Sequence, residues 1–385
     1  MASASLVHST AVRGPATHAI VIGVGEYPHL GGGKGKLTPA HDGMGQLTAP
    51  PLSAREVATW LIASLYDPDK PLASVALLLS EAQPRPFRNP TTGEEFAVAP
   101  ATIDNTQTAI REWFDRADTD TANRVLFFFS GHGTARGPDV ALLLADYGAT
   151  RGNALDGAID FTGLHSGMSL CAARQQIYFV DACRSNSDTI IGANRGRPIY
   201  VASAWDPKPA GLREAPVFYS TISGSPAYGT PNKPSPFADA LLRSFKGGAA
   251  DDIHAPNDWR VDTTKLQAAL NFYMDRAIGP GGQRAQIPAS NDLSTIELHR
   301  VRGKPKATAV VGCVPNQANS FAALACWSGR TLRDERPPSQ EEWVVDLPVG
   351  NYDFVATFPG GPYVRRRVKR ELRPTWRQVE LKVLR

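Results

Sequence analysis

Two reactive side chains, His132 and Cys183, each follow directly after a short apolar run of sequence. Residues 125–129 and 177–180 are too short, and too rich in β-branched and aromatic side chains, to indicate helices, so they predict two strands buried on both faces. In open parallel sheets, ligands bind at the carboxyl ends of the strands. If these two strands are neighbours, the sheet places the imidazole of one beside the thiol of the other.

An imidazole beside a thiol can carry out acyl-transfer chemistry. A thiol in water has a pKa of about 8.5 and is only a few per cent thiolate at neutral pH. The imidazole can take the thiol proton and later return it to a leaving amine. The backbone N–H groups of Gly133 and Cys183 are candidates for an oxyanion hole, which stabilises the tetrahedral intermediate. The competing interpretation is a histidine in a turn and a buried cysteine that packs as a small apolar side chain.

Two motifs carry these residues, Ser130-Gly-His-Gly133 and Asp181-Ala-Cys183. They resemble the histidine and cysteine motifs of the caspase-like cysteine peptidases, in the metacaspase and bacterial branch. The histidine precedes the cysteine by 51 residues, which fits the roughly 50-residue separation expected of caspases. The resemblance covers most of residues 17–300 and includes residues 237–245 and 286–288 in the second half.

The resemblance implies both a fold and an activity. The expected fold class is α/β, with a caspase-like, mostly parallel sheet sandwiched by helices. The expected activity is that of a cysteine endopeptidase with a dyad, in which His132 is the general base and acid and Cys183 the nucleophile. Members of the family need no third catalytic side chain, because the backbone orients the imidazole. The resemblance to bacterial members also implies a regulated protease in antiviral defence or cell-death signalling.

Asp181 stands two residues before the predicted nucleophile. In animal caspases that cleave after Asp this position is a Gln, whereas in metacaspases it is an Asp. The resemblance therefore implies a pocket that selects Arg or Lys, and a carboxylate at the pocket floor would attract a cation and repel Asp. The second carboxylate of such pockets, at the start of the first helix, is replaced by Ser53-Ala54-Arg55, which leaves Asp42 and Asp146 as substitutes. The competing interpretation is that Asp181 is a structural acid at the strand end.

The stretch after the nucleophile, residues 185–197, is polar and has no periodicity. In caspase-like enzymes this position is an interdomain linker that is often cut during activation. Arg195 and Arg197 are therefore predicted activation sites for an enzyme that prefers basic residues. Arg184 matches the residue that follows the nucleophile in animal caspases, and a structural role is an alternative for it.

Hydrophobic periodicity and turn residues predict the elements around these motifs. A Gly- and Pro-rich loop, residues 29–50, follows the first strand, and its length indicates a functional rim rather than a tight connection. Ser53 is predicted to cap the first helix, with Glu56 completing a capping box. The remaining predicted elements are strands 18–24, 74–79, 140–144 and 216–222 and helices 53–66, 102–117, 162–173, 235–246 and 263–277. Strands that alternate with helices indicate a parallel sheet.

A chain of 385 residues is long enough for more than one domain. Residues 1–16 are predicted to be a disordered lead-in and residues 17–301 a caspase-like peptidase domain. Beyond a short linker, residues 307–385 contain strand-like runs separated by Gly and Pro turns. That spacing predicts a small all-β accessory domain, an antiparallel β-sandwich.

The net charge of +4 is unevenly distributed, because residues 302–385 carry 15 Lys and Arg against 8 Asp and Glu. The basic region could bind an acidic partner or nucleic acid, or it could be an ordinary solvated surface. The predicted partners are a protein substrate and a regulatory protein on the C-terminal β-domain, while nucleic acid is not expected. The alternative function is a catalytically idle scaffold whose basic β-domain binds a partner protein or nucleic acid. Ligation by the same dyad is a third possibility.

Several classes of protein are not expected from this sequence. Four cysteines in a chain of this length do not form a disulfide framework, and they lack the C-x-x-C spacing of a zinc site. The acidic loop residues 251, 252 and 258 lack the spacing of a calcium loop, so neither a metal nor a cofactor is predicted. No apolar run is long enough to span a membrane, and residues 1–15 do not have the pattern of a signal peptide. The expected location is the reducing cytoplasm.

Overall fold

The computed structural model describes residues 5–136, 139–184, 213–221, 232–253, 255–277, 289–291 and 293–385. The chain divides into two compact units. The first comprises residues 1–242 and 270–296, and the second comprises residues 243–269 and 297–385. Residues 243–269, which the sequence assigns to the predicted peptidase domain, therefore group with the C-terminal strands.

The strands are numbered in chain order and the helices likewise. The strands of the first unit are β1 Leu6–Ser9, β2 Thr17–Val24, β3 Leu72–Ser80, β4 Phe87–Arg88, β5 Glu95–Phe96, β6 Arg124–Gly131, β7 Gly133–Arg136, β8 Asp139–Leu143, β9 Ala158–Asp160, β10 Gln175–Ala182, β11 Val217–Tyr219 and β14 Ala289–Asn291. Those of the second unit are β12 Ala250–Asp251, β13 Arg260–Asp262, β15 Glu297–Arg300, β16 Lys306–Val314, β17 Ala323–Ser328, β18 Thr331–Arg336, β19 Trp343–Pro348, β20 Gly350–Thr357, β21 Arg366–Leu372 and β22 Trp376–Lys382. The α-helices are α1 Ala49–Ser64, α2 Ile103–Ala117, α3 Phe161–Gly167, α4 Pro236–Arg243 and α5 Thr263–Asp275. Shorter helical turns are Pro39–His41, Ala154–Gly157, Met168–Leu170, Asn316–Phe321 and a π-helical turn at Ser244–Gly248.

The first unit is built on one seven-stranded sheet with the strand order β1-β3-β2-β6-β10-β11-β14. The five inner strands run parallel, and the edge strands β1 and β14 pair antiparallel. Strands β2 and β6 are buried at every position, as their continuous apolar runs predict. This arrangement confirms the predicted α/β fold class with a mostly parallel sheet. The carboxyl ends of all five inner strands lie at one edge.

Helices cover both faces of this sheet. Ile22 of β2 belongs to a buried apolar cluster with Trp113 of α2. Gly23, the next residue, approaches α1 so closely that a Cβ added to it would lie 2.7 Å from the Cβ of Ala54. Because successive residues of a strand point to opposite faces, α1 and α2 lie on opposite sides of the sheet, as the fold class requires.

The predicted start of the first helix is wrong. Helix α1 begins at Ala49, four residues earlier than expected, and Pro50 and Pro51 lie in its first turn. Proline suits this position because its missing N–H would have no intrahelical acceptor there. Ser53 is buried inside the helix and donates to the carbonyl of Ala49 at 3.0 Å. It is therefore not the cap, and Glu56 does not complete a capping box.

Three further local predictions are wrong. The predicted disordered lead-in contains β1, which pairs antiparallel with β3 and buries Val7. The predicted strand 140–144 is β8, and it lies in a separate antiparallel sheet, β7-β8-β9, rather than in the main sheet. Helix α3 ends at Gly167 and only a short helical turn continues it, because glycine weakens a helix at that point.

The C-terminal strands of the second unit form two sheets, β19-β16-β22 and β18-β17-β20-β21. Strand β19 alternates strictly between buried and exposed residues, which is the pattern of a sheet packed on one face. The predicted antiparallel arrangement is wrong for one pair, since β16 and β22 run parallel. Strand β18 was not predicted from the sequence, because its residues, TLRDER, have almost no apolar periodicity.

A buried ion pair lies at the amino end of β6. Arg124 is fully buried, and its Nη2 is 2.9 Å from Oδ2 of Asp67. The same nitrogen donates to the hydroxyl of Thr17 on the neighbouring strand at 2.9 Å. Buried charges persist in proteins where such partners satisfy them. The pair therefore fixes the central strands at the edge of the sheet opposite the predicted active site.

Candidate active site

The register between β6 and β10 places the two predicted catalytic residues side by side. The strands pair in parallel along their full length, and the last pair is Gly131 with Ala182. His132 and Cys183 are the next residues after this pair. Neighbouring strands lie about 4.8 Å apart, so the imidazole and the thiol start from adjacent backbone positions at the carboxyl edge of the sheet.

The loop after β2 supplies His132 with a hydrogen-bond acceptor. Nε2 of His132 is 2.8 Å from the backbone carbonyl oxygen of Gly45. A carbonyl oxygen can only accept, so Nε2 carries the proton and the neutral ring keeps its lone pair on Nδ1. This hydrogen bond to a backbone carbonyl therefore fixes the orientation of the ring.

Tyr27 holds the backbone of His132 in place. Its hydroxyl accepts the N–H of His132 at 2.8 Å and donates to the carbonyl of Leu143 at 3.2 Å. The two ring centroids are 4.9 Å apart. Gly131 allows this approach, because a Cβ there would lie 2.8 Å from the Tyr27 hydroxyl. Burial raises the pKa of Tyr27, so the hydroxyl stays protonated and keeps both hydrogen bonds.

The surroundings of His132 favour its neutral form. Burial lowers the pKa of His132 below its ordinary value of 6.5, and the hydrogen bond to the Gly45 carbonyl opposes this change. The neutral imidazole therefore predominates at neutral pH. This is the form that can take a proton from a thiol.

Gly133 occupies a place with no room for a side chain. A Cβ here would lie 2.8 Å from both the Cβ of Ala182 and the carbonyl oxygen of Cys183. In the hairpin with β8, the N–H of Leu143 donates to the carbonyl of the residue before Gly133. Gly133 and Leu142 are therefore a pair without mutual hydrogen bonds. The N–H of Gly133 is not used by β8, and it stays a predicted oxyanion donor beside Cys183.

Replacing Gly133 with alanine is expected to lower kcat/KM for a cleavable peptide by about 100-fold or more. The new methyl group would meet the backbone of Cys183, which cannot move without shifting the thiol. Steady-state peptide cleavage measures the effect. The matched control is Gly312→Ala, where the three atoms nearest to the added Cβ all belong to the flexible side chain of Glu342, at 3.2–3.7 Å. Equal activities of the two variants would contradict the prediction.

Asp181 is almost fully buried and is held by serine hydroxyls. Its Oδ2 accepts hydrogen bonds from Ser235 at 2.5 Å and Ser130 at 2.8 Å, and Ser220 is a third hydroxyl partner. Burial raises the pKa of Asp181, and the three hydroxyl bonds oppose the rise. The Ser235 hydroxyl also accepts the N–H of Ala238 in the first turn of α4 at 3.0 Å. Asp181 therefore ties the end of β10 to the start of a helix.

The structure does not bring Asp146 to this cluster. Asp146 accepts the N–H of Ile103 at 3.1 Å, at the start of α2 on the other face of the sheet. Asp42 lies in the loop after β2 with φ of 48°. Ser53, which stands where the resemblance leads to the expectation of a second acid, does reach the cluster, and its hydroxyl accepts the N–H of Ser235 at 2.9 Å.

Arg184, the residue after the predicted nucleophile, is buried against an aromatic ring. Arg184 is 7% exposed, and its guanidinium carbon lies 4.0 Å from the ring centroid of Tyr219. A cation stacked on an aromatic face is held by the ring quadrupole, which favours the structural alternative for Arg184. The predicted activation sites Arg195 and Arg197 lie outside the described residues, as does the rest of the 185–197 loop.

Further chemical features bear on the classes of function considered. Across the described ranges, no group of three or more His, Cys, Asp or Glu side chains is placed to hold a metal ion. All four cysteines lie in these ranges and none is in a disulfide. In the same part of the chain, no helix is both long and apolar enough to cross a membrane.

The family model for the caspase domain (Peptidase_C14) matches residues 16–295. The chain belongs to the caspase-domain family. This membership implies a cysteine peptidase type of function that acts on protein substrates. The matched residues include the paired strands, the loop after β2 and the serine cluster around Asp181.

Individual relatives of this caspase domain are distant. The uncharacterized protein y4kE of Sinorhizobium fredii is 23% identical over 284 residues, which span 70% of this chain and 77% of that protein. Among solved structures, protein GSU0716 from Geobacter sulfurreducens has a TM-score of 0.42 and 16% identity, covering 72% of this chain and 93% of its own. Caspase-1 from Spodoptera frugiperda has a TM-score of 0.42 and 12% identity, covering 72% of this chain and 86% of its own.

Sequence reasoning missed the residues of the caspase domain that hold the predicted dyad from outside the two motifs. Two of them bind His132 directly, Tyr27 at its backbone N–H and Gly45 at its ring. The other two bind neighbours of the dyad, Gln46 at Tyr27 and Ser235 at Asp181. One signal did point towards two of them, Gly45 and Gln46, because both lie in the long Gly- and Pro-rich loop predicted to be a functional rim. No comparable signal marks Ser235, because a serine before a proline also fits an ordinary helix start.

Proposed function

We propose that this caspase-domain protein is a cysteine endopeptidase in which His132 is the general base and acid and Cys183 is the nucleophile. The observation that carries the proposal is the in-register pairing of β6 with β10, which ends both strands at the same level. The hydrogen bond from Nε2 to Gly45 supports the assignment of roles, because it leaves Nδ1 to exchange a proton with the thiol.

The reaction proceeds in two halves on this dyad. Nδ1 of His132 takes the thiol proton while Sγ of Cys183 attacks the substrate carbonyl carbon and forms a C–S bond. The carbonyl oxygen becomes an oxyanion, which the N–H groups of Gly133 and Cys183 stabilise. Collapse of this intermediate breaks the C–N bond, and the amine leaves with the proton held by His132. Water then attacks the thioester with the same imidazole as base, which releases the acid and regenerates the thiol.

We infer that the substrate residue before the cleaved bond is Arg or Lys and that Asp181 selects it. Asp181 is the carboxylate in a cluster whose other members, such as Ser130 and Ser235, contribute neutral hydroxyls. Burial raises the pKa of this carboxyl group, and a cation that reached it would pair with the carboxylate and favour its charged form. An Asp side chain in the same place would be repelled.

Charge also supports a regulatory partner on the C-terminal strands, as the second part of the proposal. Strand β21 carries Arg366, Arg367, Lys369 and Arg370, and among the described residues only Arg367 of these has a carboxylate partner, Asp353 at 2.6 Å. An acidic protein surface would complement the remaining cations. Activation by cleavage in the 185–197 loop and a role in bacterial defence or cell death stay predictions from the family resemblance.

Cleavage of fluorogenic peptides ending in Arg, Lys, Asp or Leu tests the proposed function. Wild type should turn over the Arg or Lys peptides, Cys183→Ala should turn over none, and Asp181→Asn should lose most of the preference for a cation. Turnover of Asp peptides by wild type would keep the dyad and refute the role of Asp181. Gels of the purified proteins would show whether the chain also cleaves itself.

The scaffold alternative makes the opposite prediction in the same experiment. If the dyad is idle, wild type and Cys183→Ala should be equally inactive towards every peptide, including after mild proteolysis of the chain or addition of calcium. Ligation would share the acyl-enzyme and is distinguished by adding an amine-bearing acceptor peptide. A ligated product that needs Cys183 would favour ligation, whereas hydrolysis alone would favour the endopeptidase.

A further inference from the structure

A closed cycle of contacts links four residues, namely His132, Gly45, Gln46 and Tyr27. Nε2 of His132 donates to the Gly45 carbonyl at 2.8 Å, and the backbone N–H of His132 donates to the Tyr27 hydroxyl at 2.8 Å. The side chain of Gln46, the residue after Gly45, binds both backbone groups of Tyr27. It accepts the Tyr27 N–H at 2.8 Å and donates to the Tyr27 carbonyl at 2.9 Å. The cycle thus runs from His132 to Gly45, to Gln46 and to Tyr27, and the Tyr27 hydroxyl closes it at the backbone of His132.

The carbonyl of Gly45 needs such a restraint. It lies in a segment where Gly43 adopts φ of 73° and Gly45 itself has no side chain to pack, and glycines give a backbone wide conformational freedom. A backbone bridge between Gly31 and Gly45 steadies the segment on one side. The amide of Gln46 donates a further hydrogen bond to the Gly31 carbonyl at 3.1 Å, so one side chain joins both arms of the loop.

We propose that Gln46 is a positioning residue that holds the Gly45 carbonyl against Nε2 of His132 and thereby fixes the ring orientation in which Nδ1 is the base. The inference rests on the proposed function, because it names a residue that supports the same dyad. Gln46 itself touches neither the thiol nor a reacting atom. It acts by keeping the acceptor in place, so that the imidazole does not turn or exchange its Nε2 proton.

The chemical reason for this role is the choice between two ring nitrogens. A neutral imidazole can donate from only one of them, and the acceptor on the other side decides which. If the Gly45 carbonyl withdraws, the ring is free to rotate and Nε2 is open to water. Misplacement of a catalytic group by about 1 Å can cost roughly 100-fold in rate, so a positioning side chain has a measurable effect.

Two variants of Gln46 and one matched control test the proposal. Gln46→Met removes all three side-chain hydrogen bonds, whereas Gln46→Glu keeps the acceptor for the Tyr27 N–H and loses both donated bonds. The control is Gln175→Met, the same substitution at the amino end of β10, where the amide accepts from Lys70 at 2.6 Å and donates to Glu214 at 3.1 Å. Thermal unfolding of each protein verifies folding before any comparison.

The first readout is the ring N–H signal of His132 in protein labelled with ¹⁵N-histidine. The chain has 8 histidines, so His132→Gln identifies the signal. Wild type and Gln175→Met should show an Nε2-bound proton protected from exchange with water, and Gln46→Met should lose that protection. Should Gln46→Met fail to fold, Gln46→Glu provides the same comparison. An unchanged and equally protected signal in the folded Gln46 variants would overturn the proposal.

The second readout is kinetic and separates this proposal from the proposed function. Gln46→Met should lower kcat by roughly 10- to 100-fold with KM changed by less than about twofold, and Gln46→Glu should fall between it and wild type. Gln175→Met should stay close to wild type. A higher KM with kcat unchanged would overturn the positioning role. If wild type cleaves no peptide, the endopeptidase proposal fails, and the ring N–H signal still decides whether Gln46 positions His132.

Discussion

Replacing His132 with glutamine is expected to lower kcat/KM for an Arg or Lys peptide by about 10³-fold, within the range that general acid–base catalysis contributes. The glutamine amide can still donate to the carbonyl of Gly45, so it can replace the hydrogen bond that Nε2 makes. It has no nitrogen that can accept the thiol proton of Cys183. The substitution therefore removes proton transfer while keeping much of the packing.

The pH dependence provides a second test of the role of His132. Burial lowers the pKa of His132 below 6.5, and the ring acts as a base only when it is neutral. Wild-type kcat/KM should therefore persist as the pH falls through 6.5 and decline only at lower pH. The residual activity of His132→Gln should lack this decline.

Profiles of kcat/KM between about pH 4 and 9 measure this difference, and unfolding curves at each pH show where the protein remains folded. A wild-type profile that declines above pH 6.5, or a decline that His132→Gln retains, would contradict the assignment of His132 as the base. Cys183→Ala measures the background cleavage that must be subtracted from both.

Replacing Arg124 with methionine is expected to lower the free energy of unfolding by about 3–5 kcal/mol. The guanidinium is fully buried, and its partner Asp67 at 2.9 Å is 6% exposed. Methionine occupies a similar space but leaves the Asp67 carboxylate buried without its cation. Such an unpaired charge is costly because it has lost both water and its partner.

Urea unfolding in a Cys183→Ala background measures this loss without interference from self-cleavage. The matched control is Arg243→Met, because Arg243 pairs with Asp346 at 2.8 Å while the two side chains are 35% and 39% exposed. An exposed pair contributes less than about 1 kcal/mol. The double substitution Arg124→Met with Asp67→Leu should recover much of the stability. A loss in Arg124→Met no larger than in the control would refute the prediction.

The parts of the fold that the sequence predicted are those in which one segment determines its own environment. Strands β2, β6 and β10 are continuous apolar runs, and such runs are buried on both faces wherever they lie. The predicted positions of His132 and Cys183 follow from the ends of these runs. Their lateral pairing needed only the assumption that the two strands are neighbours, which the sheet order bears out.

The parts that escaped prediction depend on partners far away in the chain. Gly45 is 87 residues from His132 and contributes only a carbonyl oxygen, a group that every residue carries. Ser235 is 54 residues from Asp181 and is one serine among many. Strand β1 is four residues long and becomes a strand because β3 offers it a free edge. In each case the deciding contact is tertiary, so no local pattern reveals it.

The ladder between β6 and β10 also governs when the proposed dyad can exist during protein synthesis. In an unfolded chain, two residues separated by 51 positions lie roughly 40 Å apart on average. Only the completed ladder reduces that separation to about one strand spacing, near 4.8 Å. A nascent chain still emerging from the ribosome therefore carries a thiol without its base. The proposed peptidase activity would begin only after β10 has joined β6, which would protect the unfolded chain from cleavage by the proposed nucleophile.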